Sequence, residues 1–331
     1  MVAGVGSYLP PRAVSNEDLS KRLDTSDEWI RSRTGITIRY VVDPGMATSD
    51  LAVRAGAAAL KSAAANGTDE AVDLVILATA TPDQRCPATA PLVASGLGLP
   101  AVPAFDVSAV CSGFVYGLAV ADGLIANGMA ARVLLIGADT FSTIVDPDDR
   151  ATAVVFGDGA GAVVLRAGHP GEAGELHAVE LGSDGRLSDL IGVRAGGSRY
   201  PYRSEVDDPA DLFFAMQGQA VYRHAVVRMA EAARAVMARV GWSPGDVDRY
   251  VGHQANLRIL TTVGAELGLA PQRVYANVAA VGNTVAASIP LALADATASG
   301  ELRKGDRILL SAFGGGVTWG AAALTWPDLS Q

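Results

Sequence analysis

The sequence predicts an α/β fold in which a sheet is covered by helices on both faces and the second half repeats the element order of the first. Three observations predict it. Apolar runs of strand length lack the polar alternation of a half-exposed sheet. Helical runs separate these strands, as in β-α-β units. A similar order of elements then recurs after a glycine-rich break at 168–175, which divides the chain into halves 1–168 and 169–331.

The first half alternates strands and helices. We predict strands from the apolar runs "VDLVILATAT" (72–81), "FDV" (105–107), "ARVLLIGADT" (131–140) and "TAVVFGDGAGAVVLRAG" (152–168). A helix is predicted over 88–98. A second helix follows Cys111, because Phe114, Leu118 and Ile125 recur at helical spacing.

The second half contains similar elements in a similar order. A long helix is predicted over 212–241, a strand over 247–256 and a helix over 257–268. The run 273–283 is predicted as the next strand, followed by a helix over 286–299 and two final strands. The polar segment 184–211 is predicted to be a long loop that caps a pocket.

Composition excludes several classes of protein. Half of the 331 residues are hydrophobic, which excludes disorder, and the net charge of −9 argues against nucleic acid as a partner. The two cysteines, without a Cys/His cluster, predict a reducing cytoplasm and no metal site. The first residues lack a basic stretch and contain prolines, so we expect no signal peptide there, and no apolar run approaches the roughly 20 residues of a membrane span.

Cys111 lies where a strand passes into a buried helix. Unpaired backbone N–H groups and the helix dipole at such a place favour an anion, so we expect a lowered thiol pKa and a nucleophilic thiolate. The alternative is a small apolar core residue.

Three further features lie, like Cys111, at the end of a predicted strand. His253 ends an apolar strand in "VGHQANLRI", and Asn283 is predicted at another strand-to-helix junction. Three consecutive glycines, 314–316, follow a buried strand and would let backbone N–H groups approach a ligand. Each feature has an ordinary structural explanation. Together they predict attack of a thiolate on a thioester, with backbone donors for the oxyanion and two neutral side-chain donors for an enolate.

The chain resembles the 3-ketoacyl-acyl-carrier-protein synthases of type III in the thiolase superfamily. The resemblance rests on "VGSYLP", "DTSDEWIRSRTGI", "DVSAVCSGF", "FGDGAGAVVL", "GHQANLRI", "GNTVAASIP" and "AFGGGVTWG", which occur in family order over nearly the whole chain. It implies a thiolase-like duplicated α-β-α-β-α five-layered fold, a homodimer, acyl-CoA and malonyl thioester substrates, an acyl carrier protein as partner, and no other cofactor.

The resemblance also implies the roles of individual residues. Cys111 would carry the acyl group, His253 and Asn283 would assist decarboxylative condensation, and the amides of Cys111 and Gly315 would form the oxyanion hole. The other implied positions are coenzyme A contacts at Thr25, Trp29, Arg33, Arg150, Gly218 and Asn256, acyl-pocket residues Cys86, Phe156 and Met216, and carrier-docking residues Arg223 and Arg258.

Two departures from the family pattern affect the expected substrates. Cys86 stands where acetyl-primed members carry phenylalanine at the blind end of the acyl pocket. We therefore expect either room for a longer or branched primer or shielding of Cys86 by a neighbour. Ala265 and Glu266 replace a lysine pair found in some relatives, which weakens the predicted docking face for an acidic carrier.

The main alternative is an acyltransferase that passes the acyl group from Cys111 to an alcohol or amine. The presence of both His253 and Asn283 favours condensation. A glutamate-base enzyme of the hydroxymethylglutaryl-CoA synthase kind is disfavoured, because only Asp83 and Asp106 are acidic between Leu74 and Val110. A catalytically inactive chain-length factor would lack Cys111.

Overall fold

The structure, a computed structural model, describes residues 1–68, 71–99, 101–201 and 208–329. Within these residues the strands are β1 (Val2–Tyr8), β2 (Arg12–Ser15), β3 (Ile38–Val41), β4 (Leu74–Ala78), β5 (Ala104–Val107), β6 (Arg132–Asp139), β7 (Gly159–Arg166), β8 (Leu176–Ser183), β9 (Ile191–Val193), β10 (Phe214–Met216), β11 (Arg249–Gly252), β12 (Arg307–Gly314) and β13 (Thr318–Thr325). The α-helices are α1 (Asn16–Ser20), α2 (Asp27–Thr34), α3 (Thr48–Ala65), α4 (Ala90–Gly96), α5 (Gly113–Ala126), α6 (Gly218–Val240), α7 (Leu257–Glu266), α8 (Val278–Val281) and α9 (Ser288–Ala298).

Two sheets repeat one strand order. The first runs β1-β7-β6-β4-β5, with β6, β4 and β5 parallel and β7 antiparallel to both of its neighbours. The second runs β8-β13-β12-β11, with β13 antiparallel to both neighbours and β11 parallel to β12. A parallel bridge between Tyr250 and Val274 continues this order past β11. The predicted boundary at 168/169 lies in the connection between β7 and β8.

The helices and the two sheets form five layers. Helices α3 and α4 cover the outer face of the first sheet, and α6, with α7 packed against it, covers the outer face of the second. Helices α5 and α9 lie between the sheets. Glycines permit the close packing of α9 and of the 3₁₀ turn before it. A Cβ on Gly137 of β6 would lie 2.3 Å from the carbonyl oxygen of Ala286 in that turn, and one on Gly161 of β7 would lie 2.4 Å from Leu291 N in α9.

Several predicted elements differ from those observed. The long helix begins at Gly218 rather than 212, because Phe214 is buried against Phe141 and Phe156 and its strand β10 pairs with β9. The run 273–283 holds helix α8 and only isolated bridges, so Asn283 does not end a strand. β7 begins at Gly159, because turns around Asp149 occupy the preceding residues. The segment 184–211 contains β9, and its residues 202–207 lie outside the described residues.

A buried carboxylate, that of Asp139, joins the first sheet to the start of α9. Asp139 ends β6, and its Oδ1 accepts hydrogen bonds from the backbone N–H groups of Ala80 (2.8 Å) and Thr81 (3.1 Å). Its Oδ2 accepts from the N–H of Ala286 at 3.0 Å. Burial raises the pKa of Asp139 to about 6, although these donors lower it in part. The residue therefore connects two segments that are distant in the chain.

The raised pKa predicts how stability depends on pH. The folded state binds a proton on Asp139 more tightly than the unfolded chain does. The contribution of this protonation to the free energy of unfolding is therefore fully present below about pH 3.8 and is lost as pH rises through about 6. This difference corresponds to about 3 kcal/mol in the free energy of unfolding. We expect the wild type to lose about this much relative to Asp139→Asn between pH 4 and pH 7, measured by urea unfolding. A pH-independent difference between the two proteins would contradict the assignment.

Candidate active site

A cavity of about 590 Å³ brings together the three residues that sequence analysis singled out, Cys111, His253 and Asn283. Each comes from a different part of the chain. Cys111 lies in a 3₁₀ turn, Val110–Ser112, that leads into α5. His253 directly follows β11, and Asn283 lies between α8 and the 3₁₀ turn Val285–Ala287. Phe156 and Met216, two of the predicted acyl-pocket residues, line the same cavity.

Cys111 is buried at the N-terminal end of the α5 segment. The preceding residue, Val110, has a φ of +47°, a strained conformation for a β-branched residue that sets the direction of the turn. Burial raises the pKa of the Cys111 thiol, and the charge of Asp139 raises it further. The expected lowered pKa is therefore wrong, because removing a thiolate from water costs more than one helix end compensates. Cys111 is a neutral thiol here.

The glycine turn packs directly against the backbone of Cys111. A Cβ on Gly314 would lie 2.8 Å from Cys111 N, so a side chain at this position is excluded. Thr318 holds the two turns together, since its hydroxyl donates to the Ala109 carbonyl (3.1 Å) and its own carbonyl accepts from the Ser112 hydroxyl (3.0 Å). No carbonyl oxygen of the described residues accepts a backbone hydrogen bond from the Cys111 or Gly315 amide. An oxyanion hole formed by these two amides stays a prediction.

Gly315 lines a second cavity, of about 350 Å³, beside the first. The two cavities share four apolar residues, and so adjoin each other next to Cys111. The shared residues are Val110, Phe141, Ile191 and Phe214.

His253 is held as a neutral ring. Burial lowers the pKa of His253 to about 3, so the imidazole is uncharged at neutral pH. Its backbone N–H donates to the Ser311 carbonyl at 2.8 Å, and its Nδ1 lies 2.6 Å from the Ser288 hydroxyl oxygen. The other ring nitrogen, Nε2, is left for the cavity.

Asn283 is oriented by the backbone that follows it. Its Oδ1 accepts a hydrogen bond from the Val285 N–H at 2.9 Å, which identifies the oxygen and leaves Nδ2 as a donor. Its backbone N–H donates to the Val155 carbonyl at 2.9 Å, and its carbonyl accepts from the Gly157 N–H at 3.0 Å. Asn283 therefore offers a neutral N–H donor, and His253 a neutral ring nitrogen, to one cavity.

The predicted coenzyme A contacts divide between the cavity and its mouth. Arg33, Gly218 and Asn256 line the cavity, and the Asn256 side chain also caps α7. Trp29, Arg150 and Thr25 do not line it. The guanidinium carbons of Arg33 and Arg150 lie 4.4 and 4.9 Å from the centre of the Trp29 ring, so these three form one cluster that reaches the cavity lining through Arg33. Thr25 has a buried hydroxyl oxygen with no hydrogen-bond partner within the described residues.

The predicted docking residues Arg223 and Arg258 both line the cavity, next to Arg33. Arg258 also lies over the Tyr222 ring, 5.6 Å from its centre. Glu266, which replaces a basic residue of some relatives, pairs with Arg234 at 3.3 Å. Three guanidinium groups thus give the cavity lining a positive charge. The surface at the end of α7 has no such excess of positive charge, because Glu266 pairs there with Arg234.

Cys86 is not part of either cavity. It is exposed, and its neighbours Pro87 and Thr89 line a separate surface depression. The segment is drawn to the edge of the first sheet, because the Asp106 carboxylate accepts from the Thr89 and Ala90 N–H groups at 2.8 and 2.7 Å. Cys86 therefore does not line the cavity that holds Phe156 and Met216, and its place at the end of the acyl pocket stays a prediction.

Sequence reasoning missed several residues that shape the site. Ser288 and Thr318 lie in the motifs "GNTVAASIP" and "AFGGGVTWG", but neither was predicted to support the site, and Asp139 carries no local signal. Their hydrogen-bond partners are far away in the chain. The aromatic and aliphatic lining from Phe141, Ile191 and Phe214 was also missed, because apolar residues in a buried sequence do not reveal which of them face a cavity.

Two searches of the described residues were negative. No group of three His, Cys, Asp or Glu side chains in the described part of the chain is placed to hold a metal ion. None of the helices formed by these residues is long and apolar enough to cross a membrane.

Comparison with known proteins identifies the family. Residues 105–185 match the family described as 3-oxoacyl-[acyl-carrier-protein (ACP)] synthase III, and residues 237–326 match its C-terminal part. The chain is 60% identical to beta-ketoacyl-[acyl-carrier-protein] synthase III 3 of Streptomyces coelicolor over 327 residues, which cover 99% of this chain and 97% of the relative.

Solved structures give the same result. The crystal structure of 3-oxoacyl-(acyl carrier protein) synthase III from Pseudomonas aeruginosa PAO1 matches with a TM-score of 0.92 and 50% identity, covering 100% of this chain and 99% of that one. The priming β-ketosynthase of the R1128 polyketide pathway matches with a TM-score of 0.91 and 33% identity, over 99% of this chain and 96% of that one. The predicted thiolase-like fold is confirmed, and the chain belongs to the β-ketoacyl-[acyl-carrier-protein] synthase III family of condensing acyltransferases.

Proposed function

We propose that the chain takes an acyl group from acyl-CoA onto Cys111 and condenses it with a malonyl thioester, with loss of carbon dioxide. The observation that carries the proposal is the convergence of a thiol, its own backbone N–H and two neutral side chains at one cavity, with a further backbone N–H at the adjoining second cavity. Cys111, Gly315, His253 and Asn283 supply these groups. The same reaction serves either initiation of fatty-acid synthesis or priming of a polyketide.

The first step transfers the acyl group. The Cys111 sulfur attacks the thioester carbonyl, the amides of Cys111 and Gly315 stabilise the oxyanion, and the bond to the coenzyme A sulfur breaks. The thiol proton leaves with coenzyme A, so that the products are an acyl-cysteine and free coenzyme A. A neutral starting thiol is consistent with this step, because the proton is needed by the leaving group.

The second step forms the new carbon–carbon bond. The malonyl carboxylate leaves as carbon dioxide, and its bonding electrons form an enolate whose oxygen accepts hydrogen bonds from His253 Nε2 and Asn283 Nδ2. The enolate carbon then attacks the acyl carbonyl. The same two amides hold the oxyanion, and the Cys111 thiolate leaves and takes up a proton.

We propose that the substrates bind at the arginines of the cavity lining and at the neighbouring cluster of Trp29, Arg33 and Arg150. Trp29 offers a flat face for the adenine, and Arg33 and Arg150 offer charge to phosphates. Arg223 and Arg258 are proposed to meet an acidic carrier protein that delivers the malonyl group. Phe156 and Met216 line the cavity beside Cys111, and the adjoining second cavity offers apolar space for the acyl chain.

The chain is also proposed to act as a homodimer, joined along β5. This strand is the last of the first sheet, so within the described residues its outer edge pairs with no other strand. Leu92 of the neighbouring helix α4 is 56% exposed. A dimer formed here would place Cys86 at the interface.

The cytoplasmic location and the absence of a further cofactor stay predictions. Both cysteines are free thiols, as we expect for a protein of a reducing compartment.

Intact-protein mass spectrometry tests the proposed reaction. The protein is incubated with acyl-CoAs of two to ten carbons, and malonyl-carrier protein is added afterwards, with Cys111→Ala as the control for the site of acylation. We expect a mass gain on wild type alone, discharged by the malonyl thioester. An acyl group that persists until an alcohol or amine is added would favour the acyltransferase alternative, which leaves His253 and Asn283 unused.

Asn283→Asp tests the donor role of Asn283. The aspartate keeps an acceptor for the Val285 N–H but presents an oxygen in place of Nδ2, which repels the forming enolate. We expect malonyl decarboxylation to fall about 10²-fold while acylation of Cys111 persists. Decarboxylation is measured as released carbon dioxide, with Asn127→Asp, at an exposed helix end, as the matched control. Normal condensation by Asn283→Asp would show the assigned role to be wrong.

Gly314→Ala tests the oxyanion hole. The added methyl group would collide with the Cys111 amide, since a Cβ there lies 2.8 Å from the nitrogen. We expect the rate of Cys111 acylation to fall about 10²-fold or more. Gly123→Ala, on α5 with open space around its Cβ, is the control and should acylate normally. Equal rates for both variants would contradict the proposed packing.

Ala104→Pro tests the dimer interface. The carbonyls of Pro103 and Val107 accept hydrogen bonds from β4, so the alternation of the strand turns the Ala104 N–H to the free edge. Proline there removes an outward donor and leaves the internal pairing intact. We expect light scattering to show a dimer for wild type and for Ala104→Ser, and a shift toward monomer for Ala104→Pro. A monomeric wild type at micromolar concentration would refute the interface.

A further inference from the structure

The hydroxyl of Ser288 makes the only recorded hydrogen bond to the His253 ring within the described residues. Ser288 Oγ lies 2.6 Å from His253 Nδ1, and both residues are buried. The same oxygen accepts a hydrogen bond from the Gln254 N–H at 3.3 Å. Ser288 therefore lies on the side of the imidazole that faces away from the cavity.

The direction of this hydrogen bond follows from counting protons. A backbone N–H can only donate, so the Gln254 contact uses one lone pair of Ser288 Oγ and none of its hydrogen. If His253 Nδ1 carried the proton, the hydrogen of the Ser288 hydroxyl would need another acceptor. No other atom of the described residues accepts a hydrogen bond from it. If Ser288 donates to Nδ1, every group is paired. The neutral imidazole then carries its own proton on Nε2.

The chemistry of the cavity requires this tautomer. With the proton on Nε2, His253 donates a hydrogen bond to a thioester or enolate oxygen. With the proton on Nδ1, a lone pair on Nε2 would face the same oxygen and repel it. A neutral imidazole interconverts readily between the two forms unless a neighbour selects one. The group that is hydrogen-bonded to Nδ1 therefore decides whether Nε2 presents an N–H or a lone pair to the cavity.

The fold itself does not require a serine at this position. A 3₁₀ turn, Val110–Ser112, precedes α5, and a 3₁₀ turn, Val285–Ala287, precedes α9. Val110 and Val285 both have a positive φ, of 47° and 54°, so the two segments share one backbone form. The residue that begins the helix is Gly113 in the first case and Ser288 in the second. The hydroxyl is thus an addition to a turn that forms without it.

We propose that Ser288 is a positioning residue that donates its hydroxyl proton to Nδ1 and thereby holds His253 in the Nε2–H tautomer. The proposal rests on the donor role proposed for His253. One short segment would then orient both donors, since the Val285 N–H holds the Asn283 amide and the Ser288 hydroxyl holds the His253 ring.

The test combines kinetics with a direct measurement of the tautomer. In Ser288→Ala, decarboxylation of the malonyl thioester should fall about 10²-fold through kcat rather than KM, while acylation of Cys111 stays near the wild-type rate. In ¹⁵N spectra of the histidine-labelled protein, His253 should change from the pure Nε2–H form to a mixture. The chain has only four histidines, so His253→Ala assigns the signal. Ser288→Thr, which keeps the hydroxyl, should restore both measurements.

Thr297→Ala is the matched control, because it removes a buried hydroxyl from the same helix at a distance from His253. Wild-type decarboxylation or an unchanged tautomer in Ser288→Ala would overturn the proposal. Failure of the proposed function looks different: His253→Ala would then decarboxylate normally. If Ser288→Ala does not fold, Ser288→Cys replaces it, because its weak S–H donor should give the same loss and the same mixture.

Discussion

The arrangement of the cavity depends on the buried carboxylate of Asp139. Its two oxygens accept hydrogen bonds from the segment that follows β4 and from Ala286, in the turn between Asn283 and Ser288. A buried charge needs such donors, and each donor is thereby held in place. The cost falls on Cys111, because the nearby negative charge raises the pKa of its thiol. The structure therefore favours fixed geometry over a preformed thiolate, and the developing negative charge must be stabilised by the oxyanion hole during the reaction.

The site uses one backbone form twice, with different results. Val110 and Val285 each begin a 3₁₀ turn with a positive φ, and each turn leads into a helix of the central layer. In the second turn, the Ala286 N–H is paired with Asp139. In the first, the equivalent N–H belongs to Cys111 and donates to no backbone carbonyl of the described residues. The same turn therefore has two uses: at Ala286 it ties α9 to the first sheet, and at Cys111 it supplies a backbone N–H to the proposed oxyanion hole.

His253 and Asn283 are uncharged for different reasons. Asn283 has no titrating group, and a backbone N–H decides which end of its amide faces the cavity. His253 is kept neutral by burial, and a side-chain hydroxyl is placed to decide which nitrogen carries the proton. Neutral donors suit an enolate that must remain reactive, since a full positive charge would hold it more tightly and lower its nucleophilicity. The positive charge of the site lies instead on the arginines of the cavity lining, where the proposed coenzyme A phosphates and carrier protein would bind.

The sequence by itself determined the family, the α/β class and the places of Cys111 and His253, because apolar periodicity and short motifs are local properties. It also predicted β4, β6, α5 and α7 close to their observed bounds. The tertiary structure alone decided the raised pKa of Cys111, the helical approach to Asn283 and the surface position of Cys86. It also decided which hydroxyls and carboxylates support the site: Asp139 and Ala286 are 147 residues apart, and Thr318 and Ala109 are 209 apart. Burial and hydrogen bonding are set by partners that distant in the chain, so no local pattern of residue types contains them.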